Sequence, residues 1–215
     1  MHTIDPRSGT YSLVKQIVQR FERINDMDVH LLTYEDMRYK ADLDLNRYWY
    51  PIWVWDFVPR CVDYVLYMDS KVLCANPLPP LDVDKIEFAA VPDRIERIQE
   101  ARQKSKVIRR LGMYYQMFVF IAHRSTRKTF ETLQKRHAST PGRGPDGRGH
   151  MTPFNEEIQS NHNVYPLPKA WNWSITYERE FFTQDPYLIS FNGCMTWAYI
   201  MYILGLLNRM DGIDQ

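Results

Sequence analysis

Residues 62–73 read VDYVLYMDSKVL, and the fold turns on how this stretch is read. Val62, Tyr64, Val65, Leu66, Tyr67 and Met68 make a nearly unbroken run of β-branched, aromatic and aliphatic side chains. This is the pattern of a strand covered on both faces in a parallel sheet. The run stops at Asp69, and Asp69-Ser70-Lys71 separates it from a second apolar stretch, Val72-Leu73-Cys74. A carboxylate directly after a buried strand is expected at the carboxyl edge of the sheet, where open α/β folds take their ligands. The strand breaks there to present polar groups.

Upstream, residues 1–5 (MHTID) predict a short strand and Pro6-Arg7-Ser8-Gly9 a turn. Leu13, Val14, Ile17, Val18, Phe21 and Ile24 recur at three- and four-residue intervals, which predicts an amphipathic helix over 11–24. Val29–Thr33 then reads as a strand, giving a βαβ start and a sheet with crossover helices. Arg47–Val58 (RYWYPIWVWDFV) is rich in rings and carries Pro51. It reads as a core helix beneath the Val62 strand, with a stacking platform for a base or sugar as the alternative.

Downstream, Asn76–Pro80 is a rigid turn, Ile86–Val91 a strand, and Arg94–Arg110 a solvated helix or mobile loop. Met113–Ala122 (MYYQMFVFIA) is a buried strand, and Thr126–Lys135 a helix buried on Phe130 and Leu133. His137–Met151 lacks periodicity and is rich in Gly, Pro and Arg, so it reads as a flexible loop, either a lid or a surface excursion. A helix is expected after Pro153, and a last strand over Tyr187–Phe191.

A chain of 215 residues fits one domain, 1–215. The net charge of +1 excludes a polycation, yet Asp93–Arg148 carries 14 Lys/Arg against 5 Asp/Glu, and anionic ligands should feel that half most. Cys61, Cys74 and Cys194 form no CxxC pair, which suggests a reduced compartment without a disulfide framework or zinc site. With no secretory signal or spanning segment read from the sequence, a cytoplasmic location is expected. Trp197–Leu207 (WAYIMYILGLL) is too short to span a bilayer. It is expected to be a buried element, with peripheral contact at a membrane surface as the alternative.

Taken in order, YMDSKVL (67–73), MFVFIA (117–122), NEEIQSN (155–161), YPLPKAWN (165–172) and ISFNGCMTW (189–197) resemble segments of nucleotide-sugar transferases of the glycosyltransferase A fold, especially retaining family 8 and its relatives. The resemblance covers about Asn46 to Trp197. It implies a single Rossmann-like α/β domain with a mixed central sheet flanked by helices, residues 1–91 forming the nucleotide half and 92–215 the sugar and acceptor half.

In that family the strand ends in Asp-x-Asp, whose first Asp reaches ribose and metal and whose second binds the bridging cation. Asp69 matches the first and Lys71 stands at the second. A His-x-x-Gly-x-x-Lys-Pro-Trp pattern near the C-terminus is here Ser190-Phe191-Asn192-Gly193-Cys194-Met195-Thr196-Trp197, with Ser190 at the histidine position and Thr196 at the lysine position. No cofactor is therefore required by the sequence. A divalent cation, Mn²⁺ or Mg²⁺, would keep Asp69 alone of these ligands, and a lysine cannot ligate it. Lys71 could instead neutralise the diphosphate, mark a site that no longer turns over, or be an exposed turn residue paired with Asp69.

The resemblance further implies that Asp69, Lys71, Glu156 and Glu157 carry the reaction. Thr3, Asp5, Tyr11, Ser70, Asn161, Asn192 and Gly193 would join Asp69 in holding the donor. Leu167, Pro168, Trp171 and Asn172 would lie near sugar or acceptor. Read without the family, Glu156 and Glu157 are a helix start favoured by the dipole, and Trp171 is core. The expected function is transfer of a sugar from a nucleoside-diphosphate sugar, UDP-linked, to an acceptor hydroxyl of a glycan or protein with retention. The alternatives are a non-enzymatic descendant binding nucleotide sugar or glycan and, from another class, a nucleic-acid-binding module using Arg94–Arg148; the sequence gives no docking motif for the last, and nucleic acid is not the expected partner.

Overall fold

A computed structural model of the chain describes residues 9–33, 36, 47–139, 151–175, 185–191 and 197–212. In chain order the elements are α1 (Gly9–Asn25), a 3-10 helix (Arg47–Asp56), β1 (Tyr64–Met68), β2 (Val72–Cys74), β3 (Phe88–Pro92), α2 (Ile95–Lys104) and α3 (Lys106–Leu111). There follow β4 (Tyr115–His123), α4 (Arg127–Ser139), α5 (Met151–Asn161), β5 (Val164–Pro166), a 3-10 turn (Lys169–Asn172), β6 (Trp173–Ser174), β7 (Leu188–Ser190) and α6 (Trp197–Met210). These separate into two compact units, one from Arg38–Met68 with Leu81–Leu167, the other from His2–Met37, Asp69–Pro80 and Pro168–Gln215.

The first unit holds a four-stranded mixed sheet in the order β1-β4-β3-β5. β1 and β3 run antiparallel to β4, and β5 runs parallel to β3. β4 is internal because Val119, Phe120, Ile121 and Ala122 are all buried, so both faces of that stretch are covered. The Phe120 ring stacks on Tyr67 at 4.8 Å and on Phe88 at 5.2 Å, and meets Phe130 of α4 at 6.0 Å and Phe154 of α5 at 5.7 Å. Burying each such ring stabilises the fold by about 1.5–3 kcal/mol, and the ring pairs add about 0.5–1.5 kcal/mol. One apolar side chain thus joins two strands to two helices.

Asn155 locks α5 onto this sheet. Fully buried, it accepts the Tyr115 N–H at 2.7 Å and donates to the carbonyls of Tyr115 at 3.0 Å and Met151 at 2.9 Å. It satisfies backbone groups where β4 begins, groups that are costly to leave unpaired. The described part of the aromatic 47–58 segment packs into the core at residues 51–55. Its 3-10 helix buries Ile52, Val54 and Trp55, the Trp55 indole donates to Thr126 Oγ1 at 3.1 Å, and the Arg127 guanidinium covers its ring at 4.5 Å. Pro51 offers no N–H, consistent with winding as 3-10 instead of α.

The second unit holds a three-stranded mixed sheet, β2-β7-β6, with β2 antiparallel and β6 parallel to β7. Leu73 and Ile189, paired in register, belong to a core with Leu13 and Ile17 of α1 and Ile200, Ile203 and Leu204 of α6. Arg20, 1% exposed, is buried beside them. Its guanidinium donates to the carbonyls of Cys74 at 2.7 Å and Ala75 at 3.2 Å and to Asn208 Oδ1 at 2.9 Å, and forms an ion pair with Asp211. A buried cation needs this degree of pairing.

The mixed α/β class holds, with several corrections of detail. There are two mixed sheets where one central sheet was expected. β1 is an edge strand, antiparallel to β4, and only Val65 and Tyr67 are buried while Tyr64, Leu66 and Met68 are half-covered. A short apolar run does not encode strand direction, and the internal strands of this sheet are β4 and β3. Val29–Thr33 forms no strand; its ends are held by side chains, Glu22 accepting the Val29 N–H and Asp36 the Thr33 N–H. Residues 95–111 form two helices where a helix or loop was expected, and the described part of α5 already includes Met151 and Thr152, ahead of Pro153. The expected strand over 1–5 and positions 140–150 of the expected loop lie outside the described residues.

Candidate functional site

Asp69 directly follows β1 and opens a tight turn into β2. Its carbonyl accepts the Val72 N–H at 2.9 Å and its Oδ1 accepts the Lys71 N–H at 3.0 Å. Aspartate suits the first position of such a turn because a short carboxylate can close it locally. The turn buries Ser70 at 8% exposure and sends the Lys71 ammonium over the Trp197 indole, 5.3 Å from the ring centroid. The lysine is thus held by a cation–π contact, while its backbone is fixed at both sides: its N–H by Asp69 and its carbonyl by the Phe191 N–H at 3.0 Å.

Next to the turn, one row of the sheet reads Val72, Ser190, Ser174 across β2, β7 and β6. Both serines are buried, at 1% and 6% exposure. The Ser174 hydroxyl and the Trp173 indole N–H find no hydrogen-bond partner among the described residues. Such groups are uncommon in a protein interior and call for an explanation. The 3-10 turn before β6 buries Trp171 and Asn172 at 3% each. Trp171 meets Tyr187 edge-on at 6.2 Å, and the Ala170 carbonyl accepts the Tyr187 N–H at 2.8 Å.

The structure therefore brings Asp69, Ser70, Lys71 and Ser190 together around one turn of the second unit. Trp171 and Asn172 lie in the same unit, and half-buried Tyr11 lies on its α1. Glu156, Glu157 and Asn161 are on α5 of the first unit. There Glu156 Oε1 accepts from Ser105 Oγ at 2.7 Å and Oε2 from Arg136 at 3.2 Å, so both its oxygens are engaged. Asn161 donates to the Glu157 carbonyl at 2.7 Å and to Glu157 Oε1 at 3.2 Å. Thr3, Asp5, Asn192 and Gly193 lie outside the described residues. Ser174 and Trp173 were missed by the sequence reading. The only signal for them was that WNWS (171–174) alternates tryptophan with a small polar residue.

A divalent cation needs several hard oxygen ligands, and among the described residues no group of three His, Cys, Asp or Glu side chains could hold one. Lys71 and Ser190 stand where the glycosyltransferase resemblance places two ligands. Asp69 spends one carboxylate oxygen on its own turn. The described donor set does not fit a metal. An open cleft elsewhere in the second unit, lined by Gln19, Glu22, Arg23, Asp26, Met27 and Asp28, has three carboxylates to one guanidinium and is ill suited to a diphosphate.

No family model matches the sequence, and no curated protein matches it by sequence. Solved structures do match the fold. A galactosyltransferase, LgtC, in complex with donor and acceptor sugar analogs aligns over 94% of this chain and 92% of its own, with a TM-score of 0.56 at 11% identity. A glycosyltransferase involved in the glycosylation of the major capsid of PBCV-1 aligns over 94% and 95%, with a TM-score of 0.61 at 11% identity. An active-site mutant of LgtC gives 0.54 at 12% identity over 94% and 92%. The chain has the glycosyltransferase A-like fold of these proteins.

Proposed function

We propose that this protein transfers a sugar from a nucleoside-diphosphate donor, UDP-linked, to an acceptor hydroxyl, and that the turn at Asp69–Val72 is the donor-handling element. The observation that carries this reading is the pairing of a fold shared almost end to end with glycosyltransferases with an acidic strand-end turn bearing a fixed ammonium. The Asp69 carboxylate would accept from a ribose hydroxyl, the role the family resemblance gives it. Lys71 would balance the charge that develops on the departing diphosphate, the role a metal plays elsewhere. The protein would otherwise act by positioning, with Ser70, Ser174, Ser190 and Asn172 offering hydroxyl and amide contacts. Retention of configuration is part of the proposal.

The test is donor hydrolysis across a panel of nucleotide sugars, with and without Mn²⁺, for this chain and for Lys71→Asp. Turnover by the unaltered chain that persists in chelator supports the reading, and an absolute requirement for Mn²⁺ overturns the role given to Lys71. A second reading, a binding protein without turnover, is favoured by one observation: the Lys71 ammonium already has an aromatic partner in Trp197. Donor binding without hydrolysis, with hydrolysis appearing in Lys71→Asp plus Mn²⁺, would select it.

A further inference from the structure

In the helical hairpin α2–α3, residues 101–112 carry five cations, Arg102, Lys104, Lys106, Arg109 and Arg110, and no carboxylate. All five are exposed. Three of them serve the fold. Arg102 donates through Nε to the Gly112 carbonyl at 3.0 Å, Arg109 donates to the carbonyls of Arg102 at 3.0 Å and Gln103 at 3.3 Å, and Lys104 pairs with Glu100 at 2.8 Å. These bonds saturate helix C-terminal carbonyls, where positive charge is favourable, and they make the hairpin rigid. Gly112 is the left-handed cap at φ 85°, and a Cβ there would stand 3.4 Å from the Arg102 guanidinium.

Lys106 and Arg110 return nothing of this kind. Neither makes a hydrogen bond or ion pair among the described residues, and four positions apart on α3 they share one face about one turn (5.4 Å) apart. A like-charge pair at this spacing destabilises its helix. Lys106 also opens α3, where the helix dipole opposes a cation. The nearby carboxylate, Glu156, is shared between Ser105 and Arg136.

Two exposed, unspent cations one turn apart on a braced hairpin suit a flexible chain of spaced monoanions. A single phosphate would ask for converging donors, but the helix start is already capped, Ser105 Oγ accepting the Ile108 N–H at 3.1 Å. No exposed aromatic side chain lies between residues 94 and 112 to stack a nucleobase. Ile95 is the one large exposed apolar side chain there, too little to insert into a bilayer. We propose that the α2–α3 hairpin docks a carboxylate-bearing polysaccharide, which, resting on the transferase reading above, is the acceptor chain.

The experiment is equilibrium binding of fluorescent polygalacturonate, without any nucleotide sugar, to the full chain, to Lys106→Glu/Arg110→Glu, and to Lys15→Glu/Arg23→Glu, which makes the same charge change on α1. The hairpin variant is expected to bind roughly tenfold more weakly, the α1 variant within about twofold. Lys106→Gln/Arg110→Gln, which removes charge without reversing it, gives an intermediate loss and serves if the reversal fails to fold. Equal weakening by both reversed variants, or no binding by the unaltered chain, overturns the proposal. So does tighter hairpin-dependent binding of oligo(dT) or of phosphatidylserine vesicles. Because no turnover is read, an inactive enzyme that still binds through the hairpin refutes only the transferase reading.

Discussion

The two units treat buried polar groups differently. In the first, Asn155 and Glu156 are engaged by backbone and side chains of that same unit, and they lie beside an aromatic core with Phe120 at its centre. In the second, an ammonium rests on an indole, and a buried hydroxyl and a buried indole N–H lack described partners. Unpaired groups do not separate the two, since the buried Trp53 indole N–H of the first also lacks a described partner. What the second adds is an acidic turn with a held ammonium, and this is why we place the donor chemistry there.

The contrast can be broken from either side. Phe120→Ala should cost about 4 kcal/mol, because the cavity would open against rings from two strands and two helices; urea denaturation checks this, and a loss under about 1 kcal/mol would mean that the first core is loose. Arg20→Ala should cost about 3 kcal/mol by leaving the Cys74 and Ala75 carbonyls without their donor and opening a cavity where the side chain was buried. The same measurement would show whether one side chain holds the second unit together. Histidine at 137 sharpens the comparison further. Burial holds its imidazole below the usual histidine value, so the folded state resists protonation. Stability should be full above about pH 6.5 and decline as pH falls below it, since the unfolded chain then binds the proton more readily. His137→Gln should flatten that decline in urea midpoints taken between neutral and mildly acidic buffer.

The smallest stability effect is expected from the most diagnostic change. Ser174→Ala removes a hydroxyl without a described partner and should leave stability level or raise it by up to about 1 kcal/mol. It should nonetheless reduce the increase in melting temperature that a uridine nucleotide confers. An undiminished nucleotide effect would show that the hydroxyl is merely an unfilled bond.

Much of this was legible from residue patterns. The three- and four-residue spacing of Leu13, Val14, Ile17 and Phe21 marked α1, and four consecutive buried residues in β4 appeared as the run VFIA. The stop at Asp69 was readable because a carboxylate interrupts an apolar run. Strand direction was not, since Tyr64–Met68 would look alike in either sense, and pairing depends on residues more than fifty positions away. Polar roles were the least legible. Glu156 and Lys71 are both charges near segment ends, and only their partners, Ser105 with Arg136 for one and Trp197 for the other, separate a brace from a candidate site residue.

The guanidinium of Arg20 reaches a carboxylate 191 positions along the chain. During biosynthesis α1 must consequently wait, with a cation destined for burial, until Asp211 has left the ribosome. Closing so long a loop favours slow assembly, and removal of residues 208–212 would take away two of that cation's partners before any chemistry could begin.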